Sequence, residues 1–171
     1  MNSNPVRQEP YWYDCINAAT TVQDIASFKV WTRNFVRPLL PHSALACVHG
    51  ITYGVGVALD FVLTVDYPLE HLAAIRNKSG HMDTPLAQRW NKIRSPVFFD
   101  ESSIGPDIPA QWLQHFRQHK LINAAADGVF DSDNCIATYF SFHRLPQINQ
   151  TRLKQTFKTL TPLLHQTYVR V

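Results

Sequence analysis

Charge and cysteine are both scarce in this sequence. Asp, Glu, Lys and Arg make up 17% of its 171 residues, and a net charge of +3 is too small to mark a nucleic-acid surface by itself. Cys15, Cys47 and Cys135 are odd in number and far apart, with no Cys-x-x-Cys pair. That excludes a spelled-out zinc or redox dithiol motif and predicts buried free thiols in a reducing cytoplasm. No apolar run approaches the roughly 18 residues of a membrane span. The N-terminus, MNSNPVRQEPYWYD, lacks the apolar core of a signal peptide. A soluble cytoplasmic protein is therefore expected. Internal repeats and low-complexity tracts are missing as well. What is plentiful is apolar sequence: 45% hydrophobic residues in this length describe one ordinary globular domain.

Residues 1–19 carry Pro5, Pro10, Tyr11, Trp12 and Tyr13 and read as a loose lead-in that packs its rings against the domain or a second copy; residues 20–171 read as the domain. Thr21 followed by Asp24 resembles a capping box. Ile25, Phe28, Thr32, Phe35 and Leu39 then step at three and four residues, predicting a helix stopped by Pro38 and Pro41. ALACVHGIT and GVALDFVLTV predict a hairpin turning at Tyr53-Gly54. The Gly-Val-Gly at 54–56 has no helix after it to supply free amides, so a nucleotide loop is not expected. Leu69, Leu72 and Ile75, then Leu86, Trp90 and Ile93, mark two short helices around a Lys78-Ser79-Gly80 loop, and Pro96 to Phe99 a brief strand. DESSIGPDIP reads as a loop, followed by a helix over 110–119 with Trp112, Leu113 and Phe116 on one side.

Leu121 to Asp131 and Cys135 to His143 predict two strands joined by a turn whose residues satisfy their own backbone. Asn149 can cap a last helix, kinked at Pro162, in which Leu153, Phe157, Leu160, Leu164 and Tyr168 share a face. Hairpins with helices before, between and after them predict an α+β fold, with an antiparallel sheet of about five strands covered by helices on both faces. The last stripe is still running at Val171, which suggests a shortened chain or a lost C-terminal partner domain.

Reaction chemistry is not spelled out. His115 and His119 have the i, i+4 spacing of a zinc pair, but Phe116 stands where a zincin carries its Glu and no third ligand is in sequence reach, so a solvated face is expected. There is no G-x-S-x-G and no cysteine-nucleophile signature. Asp60, Asp66, Asp127 and Asp131 flank strands, where turn and edge roles account for them. Arg152, Lys154 and Lys158 lie opposite the apolar stripe of the last helix, the usual wet side of an amphipathic helix. No helix-turn-helix unit occurs. Neither an enzyme nor a cofactor is expected.

From Tyr67 to Val97 the order of features resembles the ligand-binding domain of LuxR-type transcriptional regulators, the acyl-homoserine-lactone receptors of bacterial quorum sensing. That family carries a Tyr, a Trp four residues on, a Tyr four further, and later Asp-Pro-Val. This chain has Tyr67, His71, Ile75 and Ser95-Pro96-Val97. LLPH at 39–42, Trp112 and Leu113 where the family has aromatics, and Ser141 at a pocket Thr position extend the likeness. The LLPH turn, the Trp90 to Pro96 spacing and a last helix running into VRV are similar to the EpsA-type regulators associated with exopolysaccharide gene clusters.

The resemblance implies a GAF- and PAS-like α-β-α sandwich, a homodimer, and DNA contact only through a C-terminal domain outside this chain. It also implies a pocket for a small molecule of unknown identity, lined by Tyr67, His71, Ile75, Ser95, Trp112 and Ser141 with Phe99 closing it. In the family the Trp holds the lactone carbonyl, the second Tyr the acyl carbonyl and the Asp the amide N–H; all three are replaced here. Ser95 lacks a charge-assisted acceptor worth about 1.5–3 kcal/mol, and Ile75 lacks a hydroxyl. His71 is smaller than Trp but can still donate. The usual lactone would leave polar groups unpaired in a closed pocket, so it is not the expected ligand. Two other readings stand beside this one: a ligand-free structural dimerisation module in which these side chains pack as core, and a small enzyme on the same scaffold.

Overall fold

The computed structural model describes residues 9–53, 56–76, 81, 82 and 84–171. The turn residues Gly54 and Val55, the loop residues Lys78, Ser79 and Gly80, and Pro5 lie outside them. Five strands form one sheet in the order β2-β1-β5-β4-β3, every neighbouring pair antiparallel. They are β1 (Ala44–Tyr53), β2 (Gly56–Val65), β3 (Val97–Asp100), β4 (Asn123–Phe130) and β5 (Ile136–His143). The predicted α+β sheet covered on both faces is the observed architecture.

Side chains that alternate along a strand point to opposite faces, and here both faces are apolar. Leu45 and Cys47 of β1, Phe140 and Phe142 of β5 and Ala125 of β4 pack into one core. Ala46 and Val48, Tyr139, and Ala124 and Ala126 pack into another. The first core is covered by α1 (Glu9–Ala19), α2 (Ile25–Trp31) and α7 (Gln150–Tyr168). The second lies beneath α4 (Leu69–Ala74), α5 (Pro85–Ile93) and α6 (Ala110–Gln118), which contribute Leu72, Trp90, Trp112 and Phe116.

The segment expected as a loose lead-in over residues 1–19 is helical from Glu9 onward, α1, and packs Trp12 against the first core as its rings suggested. Trp12, Cys15 and Ala19 recur at three and four residues and turn inward, and Trp31 Nε1 donates to the Cys15 carbonyl at 3.0 Å. The capping box also shifts by three residues. Asp24, not Thr21, caps α2: its Oδ1 accepts from Ser27 N at 2.7 Å while Asp24 N donates back to Ser27 Oγ at 3.1 Å. Thr21 instead donates its hydroxyl to the Ala18 carbonyl at 2.8 Å, closing α1. Phe28, Thr32 and Leu39 of the predicted stripe are buried, but Ile25 is 42% exposed.

The predicted helix is not continuous. A π-helical turn (Thr32–Val36) separates α2 from α3 (Arg37–Leu39), with the Arg37 N–H reaching Thr32 O. Pro38 supplies no N–H and would crowd a regular i−4 carbonyl, so the wide turn just before it accommodates the ring. The last helix follows its pattern throughout: Asn149 Oδ1 accepts from Arg152 N at 3.0 Å, and Leu153, Phe157, Leu160, Leu164 and Tyr168 are all buried.

Candidate functional site

Between β1 and β5 on one side and α4 and α6 on the other lies a small hollow of about 20 Å³. Tyr67, His71 and Ile75 are spaced four apart, so one side of α4 and its approach presents all three to it. Period-two alternation along β5 presents Tyr139, Ser141 and His143 from the floor. Trp112 of α6 closes one end, while Met82, Thr84 and Leu86 close another. Thr84 is fixed there because its hydroxyl caps α5, accepting from Ala87 N at 3.2 Å. Met82 is pinned by backbone bonds to Val57 on the edge strand β2, Met82 N to Val57 O at 3.2 Å and Val57 N to Met82 O at 3.5 Å.

The lining contains polar groups that burial has left without partners. Ser141 Oγ and His143 Nε2 are bonded to each other at 2.7 Å. His143 Nδ1, His71 Nδ1, Trp112 Nε1 and Tyr139 Oη have no hydrogen-bond partner. The Ser141 hydroxyl stands near enough to Tyr139 to ease its ionisation slightly, yet the pair does not meet hydrogen-bond geometry. Burial drives the acidity of these groups. His71 is pushed down to about 4 by desolvation, then by His119 and His115. His143 is pushed down to about 3 by desolvation, then by His71, Arg144 and His42. Tyr67 is pushed upward by desolvation, with Tyr139 adding to it. At neutral pH both imidazoles are uncharged, each with one N–H and one bare nitrogen.

Chemically this arrangement is suited to binding. A Ser–His contact acts as a nucleophile–base pair only when the imidazole is basic near neutrality and a third group orients it. His143 meets neither condition, since its Nδ1 is unpartnered. The volume matches about one water molecule, which needs two to four polar partners of the kind found here.

The structure brings together five of the seven residues singled out in the sequence: Tyr67, His71, Ile75, Trp112 and Ser141. Phe99 stands behind the lining, its ring edge-on to Trp112 at 5.1 Å and to Phe116 at 5.0 Å. Ser95 does not line this hollow. Arg94 ends α5 in the left-handed conformation (φ 53°), and the chain leaves that turn with Ser95 in a separate concavity beside Asp100, Ser102, Gln150 and Lys154. His115 and His119 are half-buried rather than on a solvated face, with the His119 ring 5.4 Å from that of His71. Among the described residues no group of three or more His, Cys, Asp or Glu could hold a metal ion. Sequence reasoning missed Tyr139, His143, Thr84 and Met82. The first two could have been found by extending the strand alternation from Ser141 two residues each way.

A second, open concavity of about 1,040 Å³ adjoins the hollow, with Leu86 in the walls of both. Arg89, Lys92, Arg94, Phe98 and Ile108 line it. Arg94 is engaged: its guanidinium donates to Asn134 Oδ1 at 2.7 Å and sits 3.6 Å above the Phe130 ring. No helix among the described residues is long and apolar enough to cross a membrane.

At the level of sequence, no family model and no curated protein matches this chain. In three dimensions it is similar to CepR2, an N-acylhomoserine lactone dependent LuxR family transcription factor from Burkholderia cenocepacia, with a TM-score of 0.71 and 12% identity over 94% of this chain and 96% of that one. SdiA of Escherichia coli gives 0.67 and 12% identity over 94% and 67% of the two chains. The A. aeolicus nlh2 GAF domain gives 0.55 and 10% over 95% and 98%. At such identities the likeness is one of fold, and the chain has the GAF-like α+β fold that these regulatory proteins share.

Proposed function

We propose that this chain is the ligand-sensing domain of a LuxR-type transcriptional regulator, for a small molecule other than the usual acyl-homoserine lactone. The observation that carries the reading is the convergence of unpartnered Nδ1, Nε1 and Oη atoms from α4, α6 and β5 on one hollow. A buried polar group without a partner costs about 1–3 kcal/mol. Several around one void are what a solid core avoids and what a ligand or an ordered water relieves. The fold likeness to the lactone-dependent CepR2, and to SdiA, which has been solved in complex with octanoyl-rac-glycerol, supports it. The family Trp and second Tyr are His71 and Ile75 here, which argues against a lactone head. Further parts of the same reading are a homodimer, a cytoplasmic location, DNA contact through a helix-turn-helix segment outside these residues, and a role near exopolysaccharide genes like that of EpsA-type regulators.

Native mass spectrometry of the purified protein tests it. A stoichiometric small molecule, held more weakly on Trp112→Phe substitution, is the expected result. A protein that carries nothing and gains no thermal stability from a broad panel of acyl and aromatic metabolites overturns it.

One observation favours a second reading. The hollow is small, and α1 and α2 expose Tyr11, Tyr13, Ile16, Ile25 and Val30. A structural dimerisation module would cover such side chains in a two-fold contact exceeding about 1,000 Å² in total. Sedimentation equilibrium distinguishes the two readings when paired with the ligand screen: a dimer split by Tyr13→Glu and Ile16→Glu, with no ligand bound, supports the module.

A further inference from the structure

The chemistry of the hollow narrows what could enter it, granted that it is a ligand site. Its unpartnered atoms are donors or can become donors. Trp112 Nε1 can only donate, the Tyr139 hydroxyl can donate, and the His71 and His143 rings donate from both nitrogens once protonated. Among the described residues no carboxylate or carboxamide side chain stands in the lining. A ligand bringing an amide N–H would find few acceptors there, whereas a carboxylate brings acceptors alone.

The charges around the imidazoles point the same way. His71 on α4 faces His115 and His119 of α6, and His143 at the end of β5 faces His71, Arg144 and His42. Arg144 is cationic, and the other neighbours are imidazoles, a group that can accept a proton. Among the described residues the carboxylate felt by this lining is Asp127, which acts on Tyr139 and is held toward α7, accepting from the Thr161 hydroxyl at 2.8 Å. A hollow surrounded by latent positive charge, with unfilled donors on its walls, is preorganised for an anion.

We infer that the hollow receives the carboxylate end of an aliphatic monocarboxylic acid, and that binding draws one proton from solvent onto the His71 or His143 imidazole. The hydrocarbon tail then passes Leu86 toward the larger concavity. Ligand entry has to widen a volume of about 20 Å³, and one of its walls, α4, is only six residues long, with Pro68 at its N-cap and no side-chain cap.

The test is isothermal titration of the full chain with octanoate below its micellar concentration. It is run at pH 6, 7 and 8 and in buffers of different ionisation enthalpy, with octanoyl glycerol as the neutral probe. The expected result is uptake of about one proton, a Kd that rises about tenfold per pH unit across this range, and a preference for octanoate over the neutral probe. Trp112→Phe keeps a ring and removes a donor, and is expected to weaken octanoate about tenfold. His71→Asn, which cannot be protonated, is expected to reduce the proton uptake; it serves as the second variant should Trp112→Phe not fold.

Preference for octanoyl glycerol, or octanoate binding that ignores pH and both substitutions, overturns the carboxylate assignment and leaves the sensing reading standing. If neither probe binds but native mass spectrometry finds another small molecule, the outcome is the same. If neither probe binds and nothing copurifies, both the carboxylate assignment and the sensing reading fall.

Discussion

Gly128 records how closely α5 is laid on β4. A Cβ at that position would run into the Thr138 carbonyl and come within 2.5 Å of the Trp90 ring. Trp90 itself is fully buried, stacked on Phe130 at 4.4 Å and tilted against Tyr139 at 5.0 Å, so the ring has nowhere to retreat. Gly128→Ala is expected to lower the unfolding free energy by about 1–3 kcal/mol, as overpacking does, with urea titration as the measurement. Asp66 makes the contrasting case at the surface. It accepts from Arg33 Nη2 and Nε at 2.8 and 3.1 Å and from Arg37 Nη2 at 2.8 Å. The Arg33 bonds hold its carboxyl well below the usual carboxylate range. A depressed acid favours the folded state above its ordinary range and loses that contribution as pH falls below about 4. Asp66→Asn tolerates the positive φ of 54° while removing the charge. Because the partners are more than a third exposed, the expected loss at neutral pH is small and shrinks further in 1 M salt. A large, salt-insensitive loss would refute that account.

At the scale of elements, α7 is the longest helix among the described residues and is fastened by more than its apolar stripe. Tyr168 directs its hydroxyl at the carbonyls of Phe61, at 3.1 Å, and Cys47, at 3.3 Å, tying the helix end to β2 and β1. Thr161 donates to Asp127 of β4. The Thr138 hydroxyl lies 3.0 Å from Nδ1 of both His49 and His165. Its single proton can serve at most one of the two imidazoles, so at least one ring donates its Nδ1–H to the hydroxyl oxygen. Tyr168→Phe is expected to cost about 0.5–1.5 kcal/mol, the net worth of one hydrogen bond. Leu164→Ala, which empties a fully buried position, is expected to cost about 2–5 kcal/mol. Chemical denaturation of both variants checks the order; a Tyr168→Phe loss as large as that of Leu164→Ala would mean that the hydroxyl anchors the helix more than packing does.

Over the whole molecule, three buried histidines set the response to acid. His42 and His71 are each pushed down to about 4 and His143 to about 3, in every case chiefly by desolvation. In the unfolded chain these rings protonate near pH 6.5. Between that value and the folded ones the unfolded state binds more protons, so stability is full above about pH 6.5 and declines as pH falls toward 4. The slope approaches about 1.4 kcal/mol per pH unit for each histidine in the window. Urea midpoints at pH 7.5, 6.0 and 5.0 are expected to drop in sequence, and His143→Gln is expected to flatten the curve. A midpoint constant across that range would contradict the buried neutral state. An anionic ligand in the hollow changes this balance, because it favours the protonated ring inside the folded protein.

Much of this architecture was legible in the residues. The five-residue stripe from Leu153 to Tyr168, the two strand pairs and the helices around Trp90 and Trp112 follow from periodicity, because burying one face of a helix or both faces of a strand leaves its mark in the order of apolar residues. The spacing of Tyr67, His71 and Ile75, and the inward place of Trp112 and Ser141, were legible for the same reason. What periodicity does not encode is which stripe meets which. The helix at Glu9–Ala19 was hidden behind Pro10 and an aromatic run, since its inward set of Trp12, Cys15 and Ala19 has meaning only beside Phe28 and Trp31. Ser95 follows Arg94, whose backbone is left-handed, and stands in a separate concavity, a placement that the order of apolar residues does not encode. His143 and Tyr139 came to line the hollow through the docking of α4 and α6 over β5. Local order along the chain thus determined the elements, and only their tertiary assembly, which buries polar atoms from distant segments around one void, decided where the hollow lies and what lines it.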